Sequence, residues 1–129
     1  SSLQYLSLKW VNRTSISDEK ERITIELDNY ILLSPDSLPL DEKSKQSLQW
    51  VMAREPLALI EYRSIDPDYN EITFRSVWQD YRGNTDNDDD SLRCVTTATL
   101  EVEKKYWPRR ICVRAVDVFG RESEVVVQI

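Results

Sequence analysis

Apolar and polar residues alternate along most of this chain with a period of two. That is the pattern of a half-buried β-strand, whose successive side chains point to opposite faces. Leu6, Leu8 and Trp10 alternate with Ser7 and Lys9, and Ile23, Ile25 and Leu27 alternate with Thr24 and Glu26. The two runs predict paired strands, the second extending through Tyr30 to Leu33. A polar loop with Asn12-Arg13-Thr14 and Asp18-Glu19-Lys20 joins them. Farther on, Leu57 to Ile65 and Ile72 to Gln79 predict a hairpin, with Ile72, Phe74 and Trp78 on one face and Thr73, Arg75 and Gln79 on the other. Thr96, Ala98, Leu100 and Val102 define a further strand, Ile111, Val113 and Ala115 the next, and Val125, Val127 and Ile129 the last.

The period changes between Ser34 and Pro56. Ser34-Pro35-Asp36-Ser37 reads as a turn, and Asp41 is a candidate helix N-cap with Glu42 favourable near the helix dipole. Leu48, Val51 and Met52 stand at i, i+3 and i+4, which predicts a short helix from about Asp41 to Arg54 with an apolar stripe for the sheet. Pro56 stops it, because a residue before proline avoids the α region.

Turn chemistry separates the strands. In Asp66-Pro67-Asp68-Tyr69-Asn70 the proline presets φ and the Asp and Asn side chains bond nearby backbone groups. Asp80 to Ser91 is an Asp- and Asn-rich loop, and Gly120, within Asp117 to Glu122, is expected at positive φ. Seven strands with mostly short connections and one inserted helix predict a mainly β fold. The expected architecture is an antiparallel sandwich of immunoglobulin-like or fibronectin-like type. At 129 residues the chain is expected to be one domain; starting at Ser1 without a methionine, it reads as an excised fragment of a longer protein.

Composition then narrows the chemistry. The net charge of −6 disfavours DNA or an anionic membrane as an electrostatically driven partner, although a local basic face can still exist. No apolar run approaches the roughly 20 residues that span a bilayer, so a cytoplasmic protein with no membrane partner is expected. Cys94 and Cys112 each fall in a predicted strand; two buried thiols fit a cytosolic protein, and a cross-strand disulfide would mark a secreted one. Asn12-Arg13-Thr14 matches the N-glycosylation pattern, which also needs a secreted context.

The absences weigh most. The chain has no histidine, which excludes Ser-His-Asp, Cys-His and His-metal sites within it. Gly83 and Gly120 are its only glycines, too few for a P-loop or a dinucleotide fingerprint. Asp66 with Asp68, or Asp86 with Asp88 and Asp90, would need a desolvating pocket for acid–base work, and their polar neighbours supply none. The same five carboxylates are weak calcium candidates. Asp86-Asn87-Asp88-Asp89-Asp90 opens like an EF-hand loop, but Ser91 stands where the loop glycine belongs and Thr97 where the bidentate Glu belongs. They read first as solvated acidic turns.

Two basic-aromatic groups remain. Trp78, Tyr81 and Arg82 form one, and Lys104-Lys105-Tyr106-Trp107-Pro108-Arg109-Arg110 the other. Aromatic and Arg residues are enriched at protein interfaces, and basic-aromatic surfaces also suit nucleic acid. Trp78, Tyr81, Arg82, Trp107, Arg109 and Arg110 are therefore the candidate partner-contact residues. Set against this, Trp78 can cap the core and Lys104 to Arg110 can be an ordinary solvated loop.

Leu57 to Asn84, followed by Arg109 to Val127, resembles the C-terminal region of bacterial adenine-specific DNA methyltransferases of restriction-modification type. The resemblance rests on Ile65-Asp66-Pro67-Asp68-Tyr69 followed by Phe74, and on Val113-Arg114-Ala115-Val116-Asp117-Val118-Phe119-Gly120. It extends over about Leu32 to Val127. The catalytic D/N-P-P-Y/F tetrapeptide and the glycine-containing S-adenosylmethionine loop of those enzymes do not occur here, and Asp66-Pro67-Asp68-Tyr69 is not that tetrapeptide. The resemblance thus implies a non-catalytic accessory domain that docks or positions. S-adenosylmethionine and methyl transfer would belong to the rest of the parent protein. The implied partner is protein, a catalytic domain or partner subunit, with direct DNA contact less favoured. A reading from another class is a free-standing, calcium-stabilised immunoglobulin-like interaction module.

Overall fold

The computed structural model describes residues 4–32, 38–84 and 94–129. Within them the chain forms strands β1 (Gln4–Ser15) and β2 (Lys20–Leu32), helix α1 (Glu42–Arg54) and a short 3-10 helix (Pro56–Leu59). Strands β3 (Ile60–Asp66), β4 (Trp78–Tyr81), β5 (Thr97–Glu103), β6 (Arg110–Asp117) and β7 (Glu122–Gln128) follow. They build two antiparallel sheets, ordered β1-β2-β5 and β4-β3-β6-β7. The architecture is a β-sandwich with one inserted helix.

The inner faces follow the alternation. Ile23, Ile25 and Leu27 of β2 and Ala98, Leu100 and Val102 of β5 meet Ile65 of β3 and Ile111, Val113 and Ala115 of β6 in one core. A fully buried Ile contributes about 1.5–3 kcal/mol of transfer free energy, so this shared apolar layer holds the sheets together. Asp41 caps α1 by accepting the Ser44 amide at 2.7 Å. Leu48 anchors the helix in the core, with Val51 and Met52 packed against it. The helix ends at Arg54, and Pro56 opens the 3-10 turn that delivers the chain to β3.

Two segments depart from the alternation. The β1–β2 register shifts on either side of Leu8, leaving Lys9 and Asp28 as extra residues between ladder partners. A one-residue slip turns later side chains to the opposite face. Trp10 is therefore exposed, while Val11 and Arg13 face inward. The stretch expected as a loop, Asn12-Arg13-Thr14, is strand; the turn is only residues 16–19, where Ser17 Oγ accepts the Glu19 and Lys20 amides.

The strand expected from Ile72 to Gln79 is the second departure. Ile72 is 88% exposed, and β4 starts only at Trp78. Side chains take the amides that a ladder would use: Asn70 Oδ1 accepts those of Ile72 and Thr73, and Asp66 Oδ2 that of Arg75. Leu57 likewise lies in the 3-10 turn, so β3 begins at Ile60. Gly120 has the positive φ expected of it, 81°. Among the described residues no helix is long and apolar enough to cross a membrane.

Candidate functional site

One end of the sandwich gathers three connections: the β1–β2 turn, the loop after β3 and the loop from Lys104 to Arg109. Their meeting point is a buried ionic cluster. Inward-facing Arg13 and Glu21 sit near the ends of β1 and β2 that form the turn. Arg109 enters from the β5–β6 connection and is only 1% exposed. Its Nη2 donates to Glu21 Oε1 at 2.7 Å and to the Glu103 carbonyl at 2.7 Å, and its Nη1 donates to Asp68 Oδ1 at 2.6 Å. Arg13 Nε donates to Glu21 Oε2 at 3.0 Å. Burial alone would push the Glu21 carboxyl up, but hydrogen bonds and charge from Arg13 and Arg109 outweigh it and hold Glu21 below the usual carboxylate range.

The two arginines also fix backbone. Arg13 donates to the carbonyls of Lys105, Trp107 and Ile129, while Arg109 holds those of Glu103 and Pro67. A connection that would otherwise be an open loop is thereby clamped from beneath. On its outside stand Tyr106, 78% exposed, and Trp107, 61% exposed. Lys104 Nζ lies 5.6 Å from the Tyr106 ring centre and Lys105 Nζ 6.0 Å from that of Trp107.

The cations of this loop have partners within the molecule. Lys104 donates to Ser15 Oγ at 2.7 Å, Lys105 pairs with Asp68 at 2.5 Å, and Arg110 lies 3.5 Å from Glu71. What the loop presents outward is chiefly aromatic surface.

The six candidate contact residues do not converge. Trp107 and Arg110 share this end of the sandwich. Arg109 does not join them on the surface, because its whole guanidinium is taken up inside the cluster. Trp78 is half-buried and lies over Arg63, whose guanidinium carbon is 5.0 Å from the indole centre. Arg63 is itself fully buried and donates to the carbonyls of Val95 and Thr96; burial lowers its pKa to about 10, against the charges of Cys94 and Asp80. Trp78 thus covers a core arginine. Tyr81 is exposed on β4, and Arg82, at the far end of that strand, donates to the Ala58 carbonyl.

Asp66 and Asp68 are occupied in other ways. Asp66 accepts the Asp68 and Arg75 amides, folding the loop after β3 back over the outer face of its own sheet. There the Phe74 ring packs on the Arg114 guanidinium at 4.3 Å. Asp68 is committed to Lys105 and Arg109. Among the described residues no group of three or more His, Cys, Asp or Glu is placed to hold a metal ion. Asp86, Asp88 and Asp90 lie outside the described residues. Cys94 and Cys112 are buried thiols not joined in a disulfide, and Cys94 lies just outside a strand. The Cys112 thiol is pushed up to about 12, first by burial and then by the Glu124 charge.

Compared with known proteins, the chain matches no family model, and no curated protein and no solved structure matches it significantly.

Proposed function

We propose that this chain is a non-catalytic docking domain, and that its docking surface is the clamped loop presenting Tyr106 and Trp107. The observation that carries the reading is the pairing of exposure with rigidity. Two large rings stand in solvent on a backbone whose carbonyls are held by half-buried Arg13 and buried Arg109. Pre-organised aromatic anchors lose little freedom on binding and dominate the energetics of protein interfaces. The lysines and arginines beside them are engaged internally, which leaves few free cations for phosphates and favours a protein partner over nucleic acid. The three-plus-four strand order supports a fibronectin-like version of the sandwich, an architecture common among interaction modules.

The parent context rests on the sequence resemblance: an accessory domain of a bacterial, cytoplasmic adenine-specific DNA methyltransferase. Its catalytic domain would hold S-adenosylmethionine and carry out methyl transfer. The experiment is to place Tyr106→Ala and Trp107→Ala together in the full-length gene product. S-adenosylmethionine binding is expected to be unchanged, while subunit assembly, read by light scattering, and DNA modification fall. Unchanged assembly and modification would remove the docking role. A gene product with no methyltransferase domain would remove the parent assignment and leave the docking role to be tested in whatever protein carries the chain.

A further inference from the structure

The opposite end of the sandwich carries a second surface of different chemistry. β2 runs away from the ionic cluster toward α1, and β3 starts beside it, with the Val118 amide of the β6–β7 turn donating to the Leu59 carbonyl. Helix α1 therefore lies about a strand length from Tyr106 and Trp107. Leu48 is its buried residue, with Val51 and Met52 packed against the core beside it. At 3.6 residues per turn, Lys43, Ser47, Trp50 and Arg54 fall on one stripe on the other side of the helix.

Beside that stripe runs an open groove lined by Lys43, Gln46, Ser47, Trp50 and Val51, with Arg54 just outside it against Trp50. Trp50 is 54% exposed, and the Arg54 guanidinium lies 4.7 Å from its ring centre. Lys43 and Arg54 stand at the two ends of the stripe, about 16 Å apart at the helical rise. In contrast to the cations at the other end of the sandwich, neither is in an ion pair among the described residues. The one acid within the helix, Glu42, lies roughly a third of a turn around the axis, while Asp41 and Glu55 are the N- and C-cap residues. On a chain of net charge −6 this stripe itself carries two cations and no carboxylate, with an apolar centre.

We infer that the Lys43–Trp50–Arg54 face of α1 docks an acidic polypeptide segment bearing an apolar or aromatic residue between carboxylates. Charge complementarity supplies both ends of the contact, and Trp50 with Val51 supplies the apolar seat between them. Two cations are too few to draw a nucleic-acid backbone to so acidic a chain, whereas they match two carboxylates flanking an anchor. The inference does not depend on the Tyr106–Trp107 reading, since it uses other residues at the other end of the molecule. With both, the domain is a bridge between two protein partners.

The experiment uses the whole chain and an array of fluorescein-labelled peptides with acidic residues around one aliphatic or aromatic residue. Matched arrays carry Lys or Gln in place of every acid, and anisotropy gives the affinities. The acidic members are expected to bind in preference to both matched sets, and more weakly as salt is raised. The double reversal Lys43→Glu/Arg54→Glu is expected to lose at least about tenfold in affinity, about 1.4 kcal/mol, and to gain binding to the lysine set. Trp50→Ala weakens binding while leaving the salt dependence in place. Both cations are solvent-facing, so circular dichroism is expected to stay native; Lys43→Gln/Arg54→Gln gives the same readout without reversed charge. Binding no better than the glutamine set overturns the inference, as does affinity unmoved by either double variant. Duplex DNA binding the same face more tightly than any acidic peptide also overturns it.

Discussion

Arg109 Nη2 lies 2.7 Å from Glu21 Oε1, joining residues 88 positions apart across the gap between the sheets. A buried pair of this kind gains little over an apolar equivalent, but removing one partner leaves an uncompensated charge. The pair therefore fixes geometry: it sets where the chain leaves β5 and so where Tyr106 and Trp107 stand.

Glu21→Gln is expected to lower unfolding free energy by about 3 kcal/mol at neutral pH, in the range for breaking a buried ion pair; urea denaturation measures it. Glu21 has a depressed folded-state pKa, so its contribution is complete above the unfolded value of about 4.3 and is lost as pH falls through the lower folded value. The stability gap between wild type and variant should therefore narrow as pH falls below about 4. A gap that stays constant into acid would show that Glu21 does not act through its charge.

Tyr30 makes the matching tie at the other end. Its hydroxyl donates to Asp117 Oδ2 at 2.5 Å, while Asp117 Oδ1 accepts the Phe119 and Arg121 amides. Tyr30→Phe is expected to cost about 1.5–3 kcal/mol, the range for a hydrogen bond to a charged group. Burial first, and then the Asp117 carboxylate, raise the phenol's pKa, so its contribution is complete below about pH 10 and is lost as pH rises through the folded value. Guanidinium denaturation at neutral and alkaline pH checks both statements. Equal stability of the two proteins at neutral pH would discard the tie.

Asp66 holds the loop after β3 over the sheet, and its cross-strand partner Cys112 is 0% exposed. In a Cys94→Ser background, Asp66→Ala is expected to speed thiol modification of Cys112 by at least about tenfold, through more frequent local opening. Colourimetric thiol titration of the native protein reads the rate. An unchanged rate would mean that the loop is held by other contacts.

Much of the sandwich was legible because the inward residues of β5 and β6, and those of β2 as far as Leu27, obey a strict period of two. The helix was legible to its cap, since Asp41 and Pro56 act locally. The misreadings have two causes, polar side chains acting on backbone and bulges in the β1–β2 pair. Asn70 and Asp66 take the amides of an apolar-looking stretch and keep it out of the ladder, and the Lys9 and Asp28 bulges turn Trp10 outward and Arg13 inward. Such effects depend on which groups meet in space, and periodicity does not record them. The proposed docking loop was legible as Lys104 to Arg110, but the split within it was not. Arg109 is buried because Glu21, distant in sequence, faces it. The Lys43, Trp50 and Arg54 stripe had a visible signal in its helical spacing, overshadowed by the apolar stripe of Leu48, Val51 and Met52.

Hydroxyl-radical footprinting of the isolated chain against the full-length, assembled protein tests the docking claim most directly. Both rings are exposed in the domain, so Tyr106 and Trp107 should be readily oxidised there and strongly protected in the assembly, while Trp10 on the outer face of β1 keeps its rate. Equal oxidation of Tyr106 and Trp107 in the two samples would contradict the account.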